Sequence, residues 1–220
     1  MSLIKEKAHF DDIDWCARLL NAPGTIVFPY WTRTAPTETS AIISLQHILF
    51  NKTLNNPDAV PHCIGFCEDP GNSHTRNTTP HDTDISPRLV VPSATLIFDL
   101  QPGVNGANST VHGGLIAALA DESMGNYLVQ NRELYQEFSK HESIPAHIVD
   151  LANVVMFTVN MNVSLRKAIS TPQVILVETR FRKIEGRKVF LDVFLTGEQG
   201  VEYARCEALW LTVAKEKASL

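Results

Sequence analysis

Three consecutive residues, His112-Gly113-Gly114, open an uncharged stretch that is interrupted by one acidic pair, Asp121-Glu122. Those residue types suit chemistry on an electrophilic carbonyl. Unpaired N–H groups at a helix start, here Gly113 and Gly114, face an anion or a developing oxyanion, and the helix dipole reinforces them. Glycine also leaves the backbone open to a ligand atom. A carboxylate such as Asp121 can serve as general base or as nucleophile. Ile116, Leu119, Ala120, Met124, Tyr127 and Leu128 follow helical spacing, and Ala117 and Ala118 make the opposite face nearly as apolar. That pattern predicts a buried helix running to about Val129. Asn108, Ser109 and Thr110 offer N-cap oxygens before it, and Asn131-Arg132 follow its last apolar residues. Asp121 conflicts with the pattern, because burying an uncompensated carboxylate is costly.

Reach decides whether the glycines and the acid can work together. Asp121 lies eight residues beyond Gly113, roughly 12 Å along a helix that rises about 1.5 Å per residue. A side chain spans only part of that, so Asp121 cannot serve a group held at Gly113 of its own chain. If both act on one substrate, the acid comes from a second copy of the helix, antiparallel across a two-fold axis. The expectation is a dimer with shared sites.

The surrounding elements follow from punctuation and alternation. After the helix, 131–150 is polar and reads as an excursion. Three hairpin-linked segments come next: Val154–Leu165, then Val174–Ile184 turning at Glu185-Gly186, then Lys188–Thr196 turning at Gly197–Gly200, with Val201–Val213 closing the sheet. Arg88–Leu100 is a further strand, and 102–109 a Gly/Asn turn into the helix. One long helix followed by an antiparallel meander is an α+β pattern. The first 60 residues read as helical and irregular. Asp11, Asp12 or Asp14 caps a helix through Leu20 that Pro23-Gly24 stops, and Thr37–Ser40 caps a second that carries Ile42 to Leu54. Ile26–Trp31, interrupted by Pro29, reads as a packed arm rather than a strand. His62–Cys67 is a short strand, and Glu68–Pro87 a long exposed loop.

Composition narrows the class. The 220 residues carry a net charge of −5 with no basic cluster, which argues against nucleic acid as a partner. No apolar run approaches the ~18 residues of a membrane span, and the N-terminus lacks the apolar core of a signal peptide. An intracellular, cytoplasmic location with four reduced thiols is expected. His62, Cys63, Cys67, His74 and His81 match no strong zinc spacing, so no metal is expected. No Gly-x-Ser-x-Gly elbow is present, which disfavours a serine hydrolase.

With His112-Gly113-Gly114, Asp121 nine residues after the histidine, and the Val159-Asn-Met-Asn-Val163 strand, the chain resembles the hotdog-fold acyl-CoA thioesterases, most of all the phenylacetate-degradation type. The likeness covers about 86–215. It implies a hotdog domain over 86–220, an antiparallel sheet wrapped around a long central helix, behind a helical N-terminal extension and loop over 1–85. It also implies hydrolysis of an acyl-CoA to free acid and coenzyme A, with no cofactor beyond the coenzyme A of the substrate, in a dimer or tetramer. The roles carried over are polarisation of the thioester carbonyl by the Gly113 N–H, with Gly114 beside it, and water activation or attack by Asp121 of the partner. His112 sets the turn near the carbonyl, and Thr158 orients water or the acid. Glu122 is the alternative acid. Arg166 and Lys167, after the Val154–Leu165 strand, are the candidates for the coenzyme A phosphates. The family often has Asn or Gln six residues before the histidine. Gly106 stands there instead, with Asn105 and Asn108 as the nearby substitutes. Asn160 stands where Asp is common. Two other readings fit less of the pattern: a hotdog hydratase or dehydratase, whose Asp-x-Asn-Pro-Leu-His-like signature is absent, and a non-catalytic acyl-CoA binding protein.

Overall fold

The computed structural model describes residues 2–33, 47–71, 86–141 and 143–215. Its elements, in chain order, are α1 (Leu3–Asp11), α2 (Asp14–Leu20), β1 (Thr25–Pro29), β2 (Cys63–Glu68), β3 (Ser93–Leu100), β4 (Asn105–Ala107), β5 (Thr110–Val111), α3 (Gly113–Phe138), β6 (Val154–Leu165), β7 (Gln173–Glu185), β8 (Lys188–Thr196) and β9 (Glu202–Ala214). Seven strands form one antiparallel sheet in the order β1-β2-β3-β7-β8-β9-β6, and β4-β5 is a separate small hairpin. A seven-stranded antiparallel sheet packed on one long helix is the α+β hotdog arrangement expected above.

Strand alternation sorts side chains into three layers. Leu96 and Phe98 of β3, Ile175 and Val177 of β7, and the buried β8 row Val189, Leu191, Val193 and Leu195 pack with Leu119, Met124 and Leu128 of α3. Ile97 of β3 and Ile64 of β2 point the other way, where Phe10, Cys16 and Leu20 of α1 and α2 cover them. Half-buried Val174 and Leu176 of β7 join that second cluster. The order is therefore α1–α2, sheet, α3. Glu6 fixes α1 by accepting from the backbone N–H of Cys63 at 3.0 Å and facing His62 Nδ1 at 3.2 Å. The hairpins turn where glycine permits a left-handed backbone: Gly186 has φ 57° between β7 and β8, and Gly200 has φ 71° before β9.

Several expectations need correction. The central helix does not stop near Val129 but runs to Phe138. Polar Asn131 looks like an end in sequence, yet it is buried and satisfied. Its Oδ1 accepts from Val91 N–H at 2.9 Å and its Nδ2 donates to the Tyr127 carbonyl at 3.0 Å. The cap is neither Asn108, Ser109 nor Thr110 but His112. Residues 25–29 are a strand, not an arm: β1 is the sheet's edge, and Pro29 stands at its last position, where a missing N–H is tolerated. The extension thus supplies two strands, β1 and β2, to the sheet, and β2 pairs with β3. It also holds α1, capped by Ser2, a helix ahead of the one expected to run through Leu20. Most of the helix expected after Thr37–Ser40, most of the Glu68–Pro87 loop, and His74 and His81 lie outside the described residues. All four cysteines are buried and unpaired. Among the described residues, no helix is long and apolar enough to cross a membrane, and no cluster of three metal-ligating side chains forms.

Candidate active site

His112 closes the start of α3. Its Nδ1 accepts from the Gly114 N–H at 2.9 Å, a side-chain cap that occupies one of the donors expected to be free. Leu115 and Ile116 donate to the His112 carbonyl. Among the described residues nothing accepts from the Gly113 N–H, so one donor, not two, remains for a ligand at this helix end. Gly106 explains itself here. A Cβ on it would lie 2.8 Å from His112 Cδ2 and 2.9 Å from His112 Cα, so any side chain at 106 collides with the cap. A Cβ on Gly113 would meet Leu165 at 3.1 Å, which puts the end of β6 beside the helix start.

Two turns along α3, Asp121 is half-exposed rather than buried, so the conflict between its charge and an all-round apolar helix resolves without burial in the single chain. Thr158 on β6 donates to Asp121 Oδ1 at 2.6 Å. Asp121 also acts at a distance on Cys206 of β9, whose thiol is pushed up to about 11, first by burial and then by the Asp121 charge. Gly113 and Asp121 therefore both lie along the open side of α3 next to β6, at the two heights set by the helix.

Glu122 faces elsewhere. It accepts from the Thr32 hydroxyl and from Asn126 Nδ2 at 3.3 Å, and its charge is the second cause, after burial, that raises the Tyr30 phenol well above its usual range. Its carboxylate ties the N-terminal extension to α3. Asn105 accepts from Thr171 Oγ1 at 2.7 Å, whereas Asn108 lies at the exposed turn between β4 and β5. Arg166 pairs with Glu202 at 2.7 Å, and Lys167 is exposed beside it.

A cleft of about 330 Å³ opens at the start of α3. Gly114, Leu115 and Ala118 form its helix wall, Leu49 and Leu54 of the extension face them, and Val104, Asn105 and His112 complete it. The sequence by itself marks no pocket residue in the extension. Leu49 and Leu54 read there as part of a helix stripe, and only the tertiary fold separates them from core. The structure thus brings His112, Gly114 and Asn105 to one cleft, sets Asp121 with Thr158 farther along α3, and assigns Glu122 to holding the extension.

Residues 108–204 match the model of the thioesterase superfamily. Verlamelin biosynthesis protein B of a Lecanicillium species is 27% identical over 172 residues, which cover 74% of this chain and 71% of that protein. Among solved structures, a hypothetical thioesterase with coenzyme A from Streptococcus pneumoniae TIGR4 aligns with a TM-score of 0.44 and 11% identity over 56% of this chain and 80% of its own. The PaaI protein of the E. coli phenylacetic acid degradation operon aligns with a TM-score of 0.42 and 10% identity over 56% of this chain and 74% of its own. The match to the thioesterase superfamily model spans the His112 cap, Gly113, Asp121 and Thr158.

Proposed function

We propose that the protein hydrolyses an acyl-CoA thioester at a site shared by two copies of the chain. The observation that carries this reading is a pair of groups on the β6 side of α3: a Gly113 N–H with no acceptor among the described residues and a threonine-oriented Asp121 carboxylate, roughly 12 Å apart along the helix axis by its rise and so too far apart to meet within one chain. Across a two-fold axis, Gly113 of one protomer and Asp121 of its partner flank the same carbonyl. Asp121 takes a proton from water as the oxygen adds to the carbonyl carbon. The oxyanion gathers at the Gly113 N–H, a contribution that is large when preorganised. Collapse breaks the C–S bond, and the leaving thiolate recovers the proton from Asp121. Thr158 occupies Oδ1 and leaves Oδ2 for that proton.

The edge of the sheet supports self-association. β6 is a twelve-residue terminal strand whose outer edge pairs with no other strand among the described residues, and Phe157, Val159 and Leu165 on it are 38%, 57% and 57% exposed. A long apolar edge of this kind is a template for pairing unless covered. For the coenzyme A phosphates, Lys167 is the better candidate, because Glu202 already neutralises Arg166.

Free-thiol release from short, long and aromatic acyl-CoAs tests the reading. Wild-type protein turns over at least one of them, and Asp121→Ala lowers kcat by about 10²-fold or more with its melting temperature preserved. Asp121→Asn is comparably slow while still binding substrate. Wild-type rates from the alanine variant, or no turnover of any thioester by the wild type, would overturn the assignment.

A further inference from the structure

The cleft at the start of α3 has no role in the reaction as written above, and its composition is specific. Leu49, Leu54, Val104, Leu115 and Ala118 give it apolar walls, while His112 and Gly114 connect it to the helix end that holds the carbonyl. At about 330 Å³ it falls at the lower end of the range of small-molecule sites, roughly 300–1,000 Å³.

The wall contributed by the extension is fixed rather than draped. Phe50, next to Leu49, is buried and meets the Tyr30 ring edge-on, and buried Arg33 donates from Nε to the Phe50 carbonyl at 3.0 Å. Beyond Leu54, the Val60 N–H returns to the Leu54 carbonyl, Gln101 donates to the Ala59 carbonyl and Gly103 to that of Asp58. The Thr32–Glu122 hydrogen bond ties the same extension to α3 a turn past Ala118. Leu49 nevertheless remains 49% exposed, and Ile48 before it 41%. Half-exposed leucines on a firmly held segment facing an apolar helix wall fit a surface that is completed by a ligand.

We propose that this cleft is the subsite for a saturated aliphatic acyl chain, and that Leu49 and Leu54, which lie before residue 108 and so outside the superfamily match, set the chain length accepted. The proposal rests on the thioesterase reading, since the chain enters from the carbonyl at Gly113. An apolar cleft gains affinity with each methylene it takes from water, about fourfold per group, until it is filled.

Two measurements separate this inference from the reaction on which it depends. Direct binding of non-hydrolysable thioether analogues of butanoyl-, octanoyl- and dodecanoyl-CoA reads the cleft without turnover. Affinity of the wild type rises along the series and then levels. In Leu49→Trp, which places bulk in the cleft from a half-exposed position, it levels at a shorter chain. The ratio of kcat/KM for dodecanoyl- to butanoyl-CoA falls about tenfold or more in that variant, as two or three excluded methylenes require. Leu49→Ala shifts the ratio the other way and serves if the tryptophan variant does not fold. An unchanged chain-length profile in folded variants that still hydrolyse acyl-CoA would overturn the subsite and leave the reaction standing. A shifted binding profile in a protein that hydrolyses none of the esters would leave the subsite and remove the reaction.

Discussion

At residue scale, the orientation of Asp121 decides whether this acid can act in the proposed hydrolysis. A carboxylate at a half-exposed helix position rotates freely unless something holds it, and Thr158 holds it with a 2.6 Å hydrogen bond from the neighbouring strand. The interaction links two elements, so the acid's geometry depends on how β6 sits against α3. A bulge in the pairing of β6 with β9, between Thr158 and Asn160, locally re-aims the strand at this point. Thr158→Val keeps the β-branched shape and removes the donor. A hydrogen bond to a charged group contributes about 1.5–3 kcal/mol, so kcat should fall about ten- to a hundredfold with KM nearly unchanged. Thr158→Ser should restore most of the rate. Steady-state kinetics on the three proteins decides it. Equal kcat in wild type and valine variant would make Thr158 an ordinary strand residue.

At element scale, two glycines and one histidine at the start of α3 fit only together. His112 caps the helix through Gly114 and Gly106 makes room for His112, whereas a Cβ on Gly113 would meet only the flexible end of Leu165. Gly106→Ala forces the β4–β5 hairpin away from the cap. Overpacking of this kind costs about 1–3 kcal/mol, and at this chain length each kcal/mol is worth roughly 2–4 °C. Calorimetry should therefore show a fall of several degrees, and an unchanged melting temperature would dismiss the packing account of Gly106. The same region shows what the sequence could and could not convey. The hairpins of β7, β8 and β9 were legible because alternation and turn glycines are local signals. His112-Gly113-Gly114 with Asp121 was legible as a pair because helix rise fixes their separation. The cap was not, since an imidazole accepting from the backbone depends on a rotamer rather than on a residue type favoured at caps. The far end of α3 was misplaced because Asn131 is paid for by contacts with Val91 and Tyr127, one of them distant in sequence. β1 was missed because its strand character comes from pairing with β2, and only an edge location makes Pro29 acceptable.

At the scale of the whole molecule, the two faces and two edges of the sheet have different fates. α1 and α2 cover the face of β2, β3 and β7 that α3 does not, so another copy cannot stack on that part of the sheet. The β6 edge, with its exposed Phe157, Val159 and Leu165, is the contrasting surface, and Asp121 and Gly113 both lie near it. Two copies joined there would each lend one group to the other's site, which makes a prediction that single variants cannot. Gly113→Pro removes the proposed oxyanion donor at a position where helices accept proline, because the first helical N–H has no intrahelical partner. His112 before it already has the extended backbone that a following proline requires, with φ −61° and ψ 131°. Gly113→Pro and Asp121→Ala should each be nearly inactive alone. Mixed, denatured and refolded together, half of the dimers pair one of each, and each such dimer has one site with both groups intact and one with neither. Roughly a quarter of wild-type activity should return by that arithmetic for a two-fold dimer. If the groups instead worked within one chain, every site in the mixture would lack one of them and no activity would return. Recovery therefore reports which chain supplies the acid.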